Sequence, residues 1–272
     1  MDEPVPPPGY DAFFATFDTP LARRLRKAAY GRDIGQHSWT SAEEIAEDCA
    51  RLQISASSRL LDLGCGPGGP LVFIAGETGC RALGLDRSAP AIASARDRAS
   101  AAGLAARISF EVADLDGPLD PADGSFTAAL AIDVVIHLAD RGATFREVGR
   151  LLAPGGRFLF TDAGVLAGMI SSAERARRSI HGRTTLAPPG TNERALEGAG
   201  FRLLESVDRT PSLLAHAQGR LAARRNLRAE LERAEGARSV AEQELYLETV
   251  VELAARGTLS RFLYLVERAA DD

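Results

Sequence analysis

Three aspartates stand at or near the ends of short apolar runs: Asp62 in "LLDLG", Asp86 in "ALGLD" and Asp114 in "FEVADLD". Three such runs as neighbouring parallel strands would line their acids along the carboxyl edge of a sheet, where open α/β folds bind ligands. The first acid opens onto "LLDLGCGPGGP", residues 60–70, whose glycines Gly64, Gly66 and Gly69 fit the G-x-G-x-x-G spacing of a dinucleotide loop. A pyrophosphate cradle needs free backbone N–H groups at the helix start. Here Pro67 and Pro70 remove two donors. Asp62, two residues before Gly64, adds a charge that repels phosphate and suits an ammonium or a sulfonium. Asp86, 22 residues after Gly64, can accept both hydroxyls of a ribose, a property shared with nicotinamide sites. Asp114 can meet an adenine amino group. The balance favours a cationic, amino-acid-bearing nucleoside.

A second constellation follows the fourth apolar run. "IDVVIHLAD" holds Asp133 and His137 four residues apart; on a helical turn they share a face. His137 could act there as a base with Asp133 as its orienting partner, or simply pack near a cofactor. "YGRDIGQHSW", residues 30–39, crowds Tyr30, Gln36, His37 and Trp39 into one short loop. Such a loop suits a lid, with Tyr30, Gln36 or His37 reaching the substrate and His37 a second candidate base. The cluster "RARRSIHGR" (Arg175, Arg177, Arg178, Arg183) could hold an anion. In a chain where Lys27 is the only lysine among 32 basic residues, an arginine-rich exposed helix is the simpler reading. His181 and His216 have no partner motif and receive no role.

The elements that must position these groups are legible in the hydrophobic pattern. Residues 10–30 read as a helical segment, with Phe13, Phe14, Phe17 and Leu21 near one face, and Thr40 or Ser41 starts a second helix. From Arg59, five strand candidates alternate with helical stretches: "RLLDLG", "CRALGLD", "RISFEVAD", "TAALAID" and "GRFLFTD". That rhythm predicts a doubly wound parallel sheet. After Asp162 it breaks into an irregular stretch to residue 190. A helix "TNERALEGAG", a sixth strand "FRLLESVDRT", two helices at about 212–234 and 238–256, and a last strand "LSRFLYLVERA" follow. Leu214, Leu221, Leu227 and Leu231 make that helix pair an amphipathic surface unit for packing or for a homodimer.

With these pieces in order, the sequence resembles the class I S-adenosylmethionine-dependent methyltransferases. The resemblance rests on "LLDLGCGPGG", "LGLD", "ADLDGPL", "SFTAALAIDVVIHLAD" and "EVGRLLAPGGRFLFTD", which cover about residues 59–162. It implies a Rossmann-like seven-stranded, mostly parallel sheet whose last strand runs antiparallel, under a helical cap. It also implies that Asp62 and the glycines hold the methionine part, Asp86 the ribose, and Asp114 with Leu115 the adenine. The cofactor set expected on it is Asp62, Gly64, Cys65, Gly66, Gly68, Asp86, Arg87, Asp114, Leu115, Ile132 and His137, with S-adenosylhomocysteine as product. The Asp133-x-x-x-His137 segment and the loop at 30–39 are loosely similar to phosphoethanolamine and sarcosine/dimethylglycine methyltransferases. Gln36, His37 and Trp39 depart from the small serine-glycine pattern found there. The organisation expected is a cap/lid at 1–57, a cofactor-binding core at 58–162, and a C-terminal part at 163–272 with the helical insertion at about 212–256.

Composition narrows the partners. At 45% hydrophobic and 25% charged, the chain reads as an ordinary soluble globular protein, and its net charge of −5 argues against a nucleic-acid partner, which usually demands a basic face. The opening "MDEPVPPPGY" reads as the start of a disordered or extended arm, and no apolar run suggests a membrane partner. Cys49, Cys65 and Cys80 follow no metal spacing and suit a reducing cytoplasm. No metal site is expected. The reading is methyl transfer by in-line displacement to N, O or C of a small metabolite or natural product. Two alternatives share the same cofactor loop: a non-methylating cyclase or pericyclase, and a cofactor-sensing binding protein.

Overall fold

The computed structural model describes residues 10–179 and 182–269. The extended arm expected at residues 1–9 and the unassigned His181 lie outside the described residues. Seven strands form one sheet: β1 (Arg59–Leu63), β2 (Arg81–Asp86), β3 (Ile108–Val112), β4 (Phe126–Ile132), β5 (Leu152–Leu166), β6 (Phe201–Asp208) and β7 (Leu259–Arg268). Their order is β3-β2-β1-β4-β5-β7-β6. β1 to β5 pair in parallel, while β7 runs antiparallel to both its neighbours. The expected Rossmann-like sheet with an antiparallel last strand is therefore what the chain builds. The strand order reverses between β1 and β4, and a crevice opens there at the carboxyl edge.

Period-2 alternation divides the core between the two faces. Leu61, Leu63, Phe158 and Phe160 pack beneath helices α6 (Arg141–Leu151) and α8 (Thr191–Gly198), through Phe145 and Leu196. Their chain neighbours Leu60 and Leu159 join the opposite face with Leu71 and Ile74 of α4 (Gly69–Thr78) and Ile92 of α5 (Ala89–Ala101).

Outside this core three expectations need correction. The segment 10–30 is two helices, α1 (Tyr10–Ala15) and α2 (Pro20–Tyr30). Thr19 caps the second by accepting from the Ala22 N–H, and Pro20 occupies its first turn, so the chain restarts rather than continues. β5 runs past Asp162 to Leu166, because Val165 and Leu166 pair with Ser260 and Leu259 of β7 after a register shift. The stretch read as irregular also contains α7 (Ser172–Arg178), begun by a Ser171–Glu174 capping box. The C-terminal insertion is three helices, not two: α9 (Thr210–Asn226), α10 (Arg228–Glu235) and α11 (Ala237–Ala255). Leu227, at φ −104° and ψ 13°, ends one ladder and starts the next. α2 packs on α9 and α9 on α11. Leu213, Leu221, Leu247 and Val250 are buried there with Trp39.

α3 (Ala42–Arg51), begun by Ser41 as expected, ties this helical layer to the sheet through buried charge. Arg261 of β7 is 1% exposed. Its Nε donates to Asp133 at 2.9 Å and its Nη1 to Glu44 at 3.3 Å, while Nη2 reaches the Thr161 hydroxyl at 3.3 Å. Arg209, also buried, bridges Glu44 and Asp48 of α3. Removing one member of such a set leaves an uncompensated buried charge. Arg261→Met is therefore expected to cost about 3–5 kcal/mol of unfolding free energy. Urea denaturation of the two proteins checks this; an unchanged midpoint would show that the network is not structural.

Candidate active site

The glycine loop joins β1 to α4, and the N–H groups of Gly64, Cys65, Gly66 and Gly68 are spent within the protein. The N–H groups of Gly64 and Cys65 donate to the Leu85 carbonyl at 2.7 and 3.0 Å, and that of Gly68 to the Cys65 carbonyl at 3.0 Å. The Gly66 N–H donates to Asp86 Oδ2 at 2.9 Å. With Pro67 and Pro70 contributing none, this loop is not a pyrophosphate cradle. Gly64 holds φ +70°, and a Cβ there would lie 2.4 Å from a Val134 methyl. Gly68, expected on the ligand, is instead a packing glycine. It is not among the cavity-lining residues, and its Cβ would sit 2.7 Å from Ala95 and 2.9 Å from the Phe110 ring.

The loop floors a cavity between the carboxyl edge of the sheet and the helical layer. Of the residues expected to hold the cofactor, Asp62, Gly64, Cys65, Gly66, Asp86, Arg87, Asp114, Leu115, Ile132 and His137 all line it. Asp62 is 3% exposed and has neither a cation nor a hydrogen-bond donor on its carboxylate among the described residues. Burial, reinforced by the nearby Asp86 charge, pushes its pKa up to about 8. A buried acid held this way is unfavourable until a cation arrives. Asp86 is raised as well by burial, against the opposing pull of the Ser88 and Gly66 N–H groups. Asp114 stands exposed at the mouth, its Oδ1 accepting from the Asp116 N–H at 3.1 Å. An ammonium at Asp62, a ribose at Asp86 and an adenine beyond it would meet compatible groups in that order.

Asp133 and His137 both line the cavity, but their side chains are not hydrogen-bonded to each other. Asp133 sits at φ +57° between β4 and the 3-10 turn Val135–His137, so the helical face that would align it with His137 does not form. Its carboxylate is taken by Arg261 Nε, the Thr161 hydroxyl at 2.8 Å and the Trp39 N–H at 2.8 Å. It orients the loop bearing Trp39 rather than the imidazole. His137 is oriented by the chain beyond β5: Nδ1 lies 2.7 Å from the Arg183 carbonyl, which can only accept. The proton is thereby assigned to Nδ1, leaving the Nε2 lone pair to accept from the Tyr10 hydroxyl at 3.0 Å. Burial lowers the His137 pKa below its ordinary value, so the ring is neutral near pH 7.

Only half of the expected lid set reaches the cavity. His37 and Trp39 line it. The His37 ring packs on Phe13, centroids 4.3 Å apart, within an aromatic group that includes Tyr10, Phe14 and Phe17. Trp39 stacks on Tyr246 at 6.2 Å, and the Arg220 guanidinium lies 4.6 Å over it. Gln36 is fully buried and spends its amide on its own loop, accepting from Ile34 N and donating to Arg32 O. Tyr30 turns inward, donating to the Ser38 carbonyl and packing on His216. Neither lines the cavity; both shape the loop from behind.

Sequence reasoning missed Tyr10, Phe14, Arg220 and Tyr246, which three helices, α1, α9 and α11, bring to the same cavity. Arg178 was seen only as part of an exposed cluster. Arg175, Arg177 and Arg183 are indeed exposed, and Arg183 pairs with Asp116 at 2.7 Å. Arg178, however, is 5% exposed and lines the cavity. Among the described residues no His/Cys/Asp/Glu group could hold a metal, and no helix is long and apolar enough to cross a membrane.

Residues 60–156 match a family model described as a methyltransferase domain. The methyltransferase GfsG of Streptomyces halstedii is 37% identical over 164 residues, 58% of each chain. The 27-O-demethylrifamycin SV methyltransferase of Amycolatopsis mediterranei is 31% identical over 172 residues, 62% of this chain and 63% of that one. The chain thus aligns with about three-fifths of the length of these relatives. The solved structure of the [4+2]-cyclase SpnF superposes with a TM-score of 0.77 at 21% identity, over 99% of this chain and 100% of that one. That likeness extends the shared fold to the helical layer. Motifs in order on β1 to β5, this strand order and the family match mark residues 60–156 as a methyltransferase domain of the class I S-adenosylmethionine-dependent type.

Proposed function

We propose that this protein transfers a methyl group from S-adenosylmethionine to a small molecule held in the cavity, most readily to a hydroxyl oxygen. The observation that carries the reading is the buried Asp62 carboxylate, without a counter-ion among the described residues, beside a glycine loop that has spent the amides of Gly64, Cys65, Gly66 and Gly68. Relatives named as methyltransferases support it. When bound, the cofactor supplies an activated methyl on sulfonium, ready for in-line displacement. The residues of this chain hold its ammonium at Asp62 and its ribose at Asp86, and the α1–α2 segment with Trp39 excludes water from above. We read residues 1–57 and the three C-terminal helices together as the cap over a core at 58–162. His137 takes the proton: Nε2 faces the cavity with Nδ1–H anchored on Arg183, and Tyr10 occupies the position of an acceptor hydroxyl. His37 belongs to the aromatic wall. A cavity under such a cap admits metabolites rather than nucleic acid, protein or lipid surfaces. Three free thiols suit the cytoplasm. Because Leu213, Leu221, Leu231 and Leu247 of the C-terminal helices are buried, a homodimer through these helices would use their mainly charged outer faces; light scattering reads this directly.

The decisive experiment is mass spectrometry of S-adenosylmethionine incubated with the protein and polyketide-like alcohols and phenols. Gain of a methyl on one compound, matched by S-adenosylhomocysteine, is expected. A rearranged product of unchanged mass would establish a cyclase instead, and absence of donor binding would overturn the reading.

Asp62 supplies a second prediction. Its folded pKa lies above the ordinary 3.8, so the folded state holds the extra proton. Ligand-free stability should then fall as pH rises from about 4 through about 8. Asp62→Asn should abolish that loss and melt higher than wild type near pH 8. The same variant should bind S-adenosylhomocysteine at least about tenfold more weakly. A variant that is less stable and binds normally would refute the assignment.

For His137→Ala, kcat toward a hydroxyl acceptor should drop about 10²–10⁴-fold, and the acid limb of the wild-type pH profile should vanish. An unaltered profile would mean that alignment alone suffices.

A further inference from the structure

Six arginines are buried among the described residues: Arg26, Arg141, Arg178, Arg209, Arg224 and Arg261. Five of them meet a carboxylate. Arg26 pairs with Asp33, Arg141 with Asp162, Arg209 with Asp48, Arg224 with Glu235 and Arg261 with Asp133, all within 3.0 Å. Arg178 does not. Its Nη1 donates to the Tyr246 hydroxyl at 3.2 Å and its Nη2 to the Ala163 carbonyl at 3.3 Å, while its buried Nε has no partner. The guanidinium lies 5.4 Å from the Tyr246 ring centre. These contacts use two of the five N–H groups and set no anion against the charge.

A second cation without a carboxylate partner among the described residues faces the same space. Arg220 is half-buried over Trp39, and its Nη1 donates to the His37 carbonyl at 3.4 Å. Both arginines line the cavity, where Trp39, Tyr246, Ile136, Leu138 and Ala163 supply apolar wall. A buried guanidinium without an anion is costly, and elsewhere this chain supplies the carboxylate itself. Arg178 contacts the end of β5, beyond β4 from the Asp62 loop on β1, whereas the ribose and adenine acids lie on the opposite flank at β2 and β3. The cavity is thus acidic toward the donor and cationic on its other side.

We propose that Arg178, assisted by Arg220, binds a carboxylate of the methyl acceptor, so that the substrate is a largely apolar acid. This rests on the donor reading above and specifies its acceptor. A carboxylate suits the site better than a phosphate dianion, because two of the Arg178 donors are already engaged and the surrounding wall is aromatic.

The test uses the full chain saturated with S-adenosylhomocysteine. 4-Phenylbutyrate, 4-phenylbutyramide and phenylpropyl phosphate serve as probes in calorimetric titrations. The carboxylate is expected to bind at least about tenfold more tightly than the amide. Arg178→Met should remove that preference, Arg178→Lys should restore part of it, and S-adenosylhomocysteine affinity should change by less than about twofold, since no donor group is touched. Arg220→Met offers a second, less buried variant should Arg178→Met fail to fold; it should weaken carboxylate binding alone. Equal binding of acid and amide to the wild type overturns the proposal, as does tighter binding of the phosphate. Loss of S-adenosylhomocysteine affinity in both methionine variants would reassign the arginines to the carboxylate of the donor. Failure of the wild type to bind S-adenosylhomocysteine at all would instead refute the donor reading.

Discussion

The Asp133–Arg261 ion pair is the contact on which the geometry of the cavity depends. Asp133 occupies a left-handed backbone conformation that a non-glycine residue adopts at a cost, and three donors compensate for it. Through them the end of β4 is joined to β5 by Thr161, to β7 by Arg261 and to the Trp39 loop by a backbone amide. Arg261 carries the connection onward to Glu44 at the start of α3. The cap is therefore registered on the sheet by charge in a nearly dry environment, where such contacts are strong and their loss is severe.

That registration lets one cavity hold groups of opposite polarity. Among the described residues Asp62 forms no ion pair, and Arg178 and Arg220 meet no carboxylate, although each could be neutralised if the two sets met. The sheet keeps them apart, because the acids rise from β1 and β2 while the arginines come from helices beyond β5 and β7. A pocket built this way retains electrostatic attraction for ligands that the folded chain cannot satisfy by itself.

Closure from above is the work of α1, which is short and held by a few polar contacts. Ser88 donates to Asp11, Ser94 and Arg98 reach Asp18, and Tyr10 meets His137. Phe14 and Phe17 complete the seal against Ala91 of α5. Contacts of this kind can exchange with those of a ligand, and His137 sits where that exchange would take place.

The core and its cofactor edge were legible from sequence because the information is local. Alternation marks the strands, and an acid at a strand end keeps its meaning wherever the strand lies in the sheet. The glycine loop differed from a dinucleotide loop by its prolines and Asp62, and those differences hold in three dimensions. Where local reasoning failed, the deciding contacts came from distant segments. Spacing alone coupled Asp133 to His137, but Arg261, 128 residues away, claims the carboxylate. Gln36 and Tyr30 looked like lid residues by composition, yet their loop folds around them. Arg178 looked like one more surface arginine until α7 buried it against Tyr246 of α11. The sequence by itself determined the sheet, its order of motifs and the acidic half of the site, since these follow from periodicity and strand ends. Only the tertiary structure decided which charges are paired and which remain available to a ligand, because pairing depends on distances between elements that no spacing along the chain encodes.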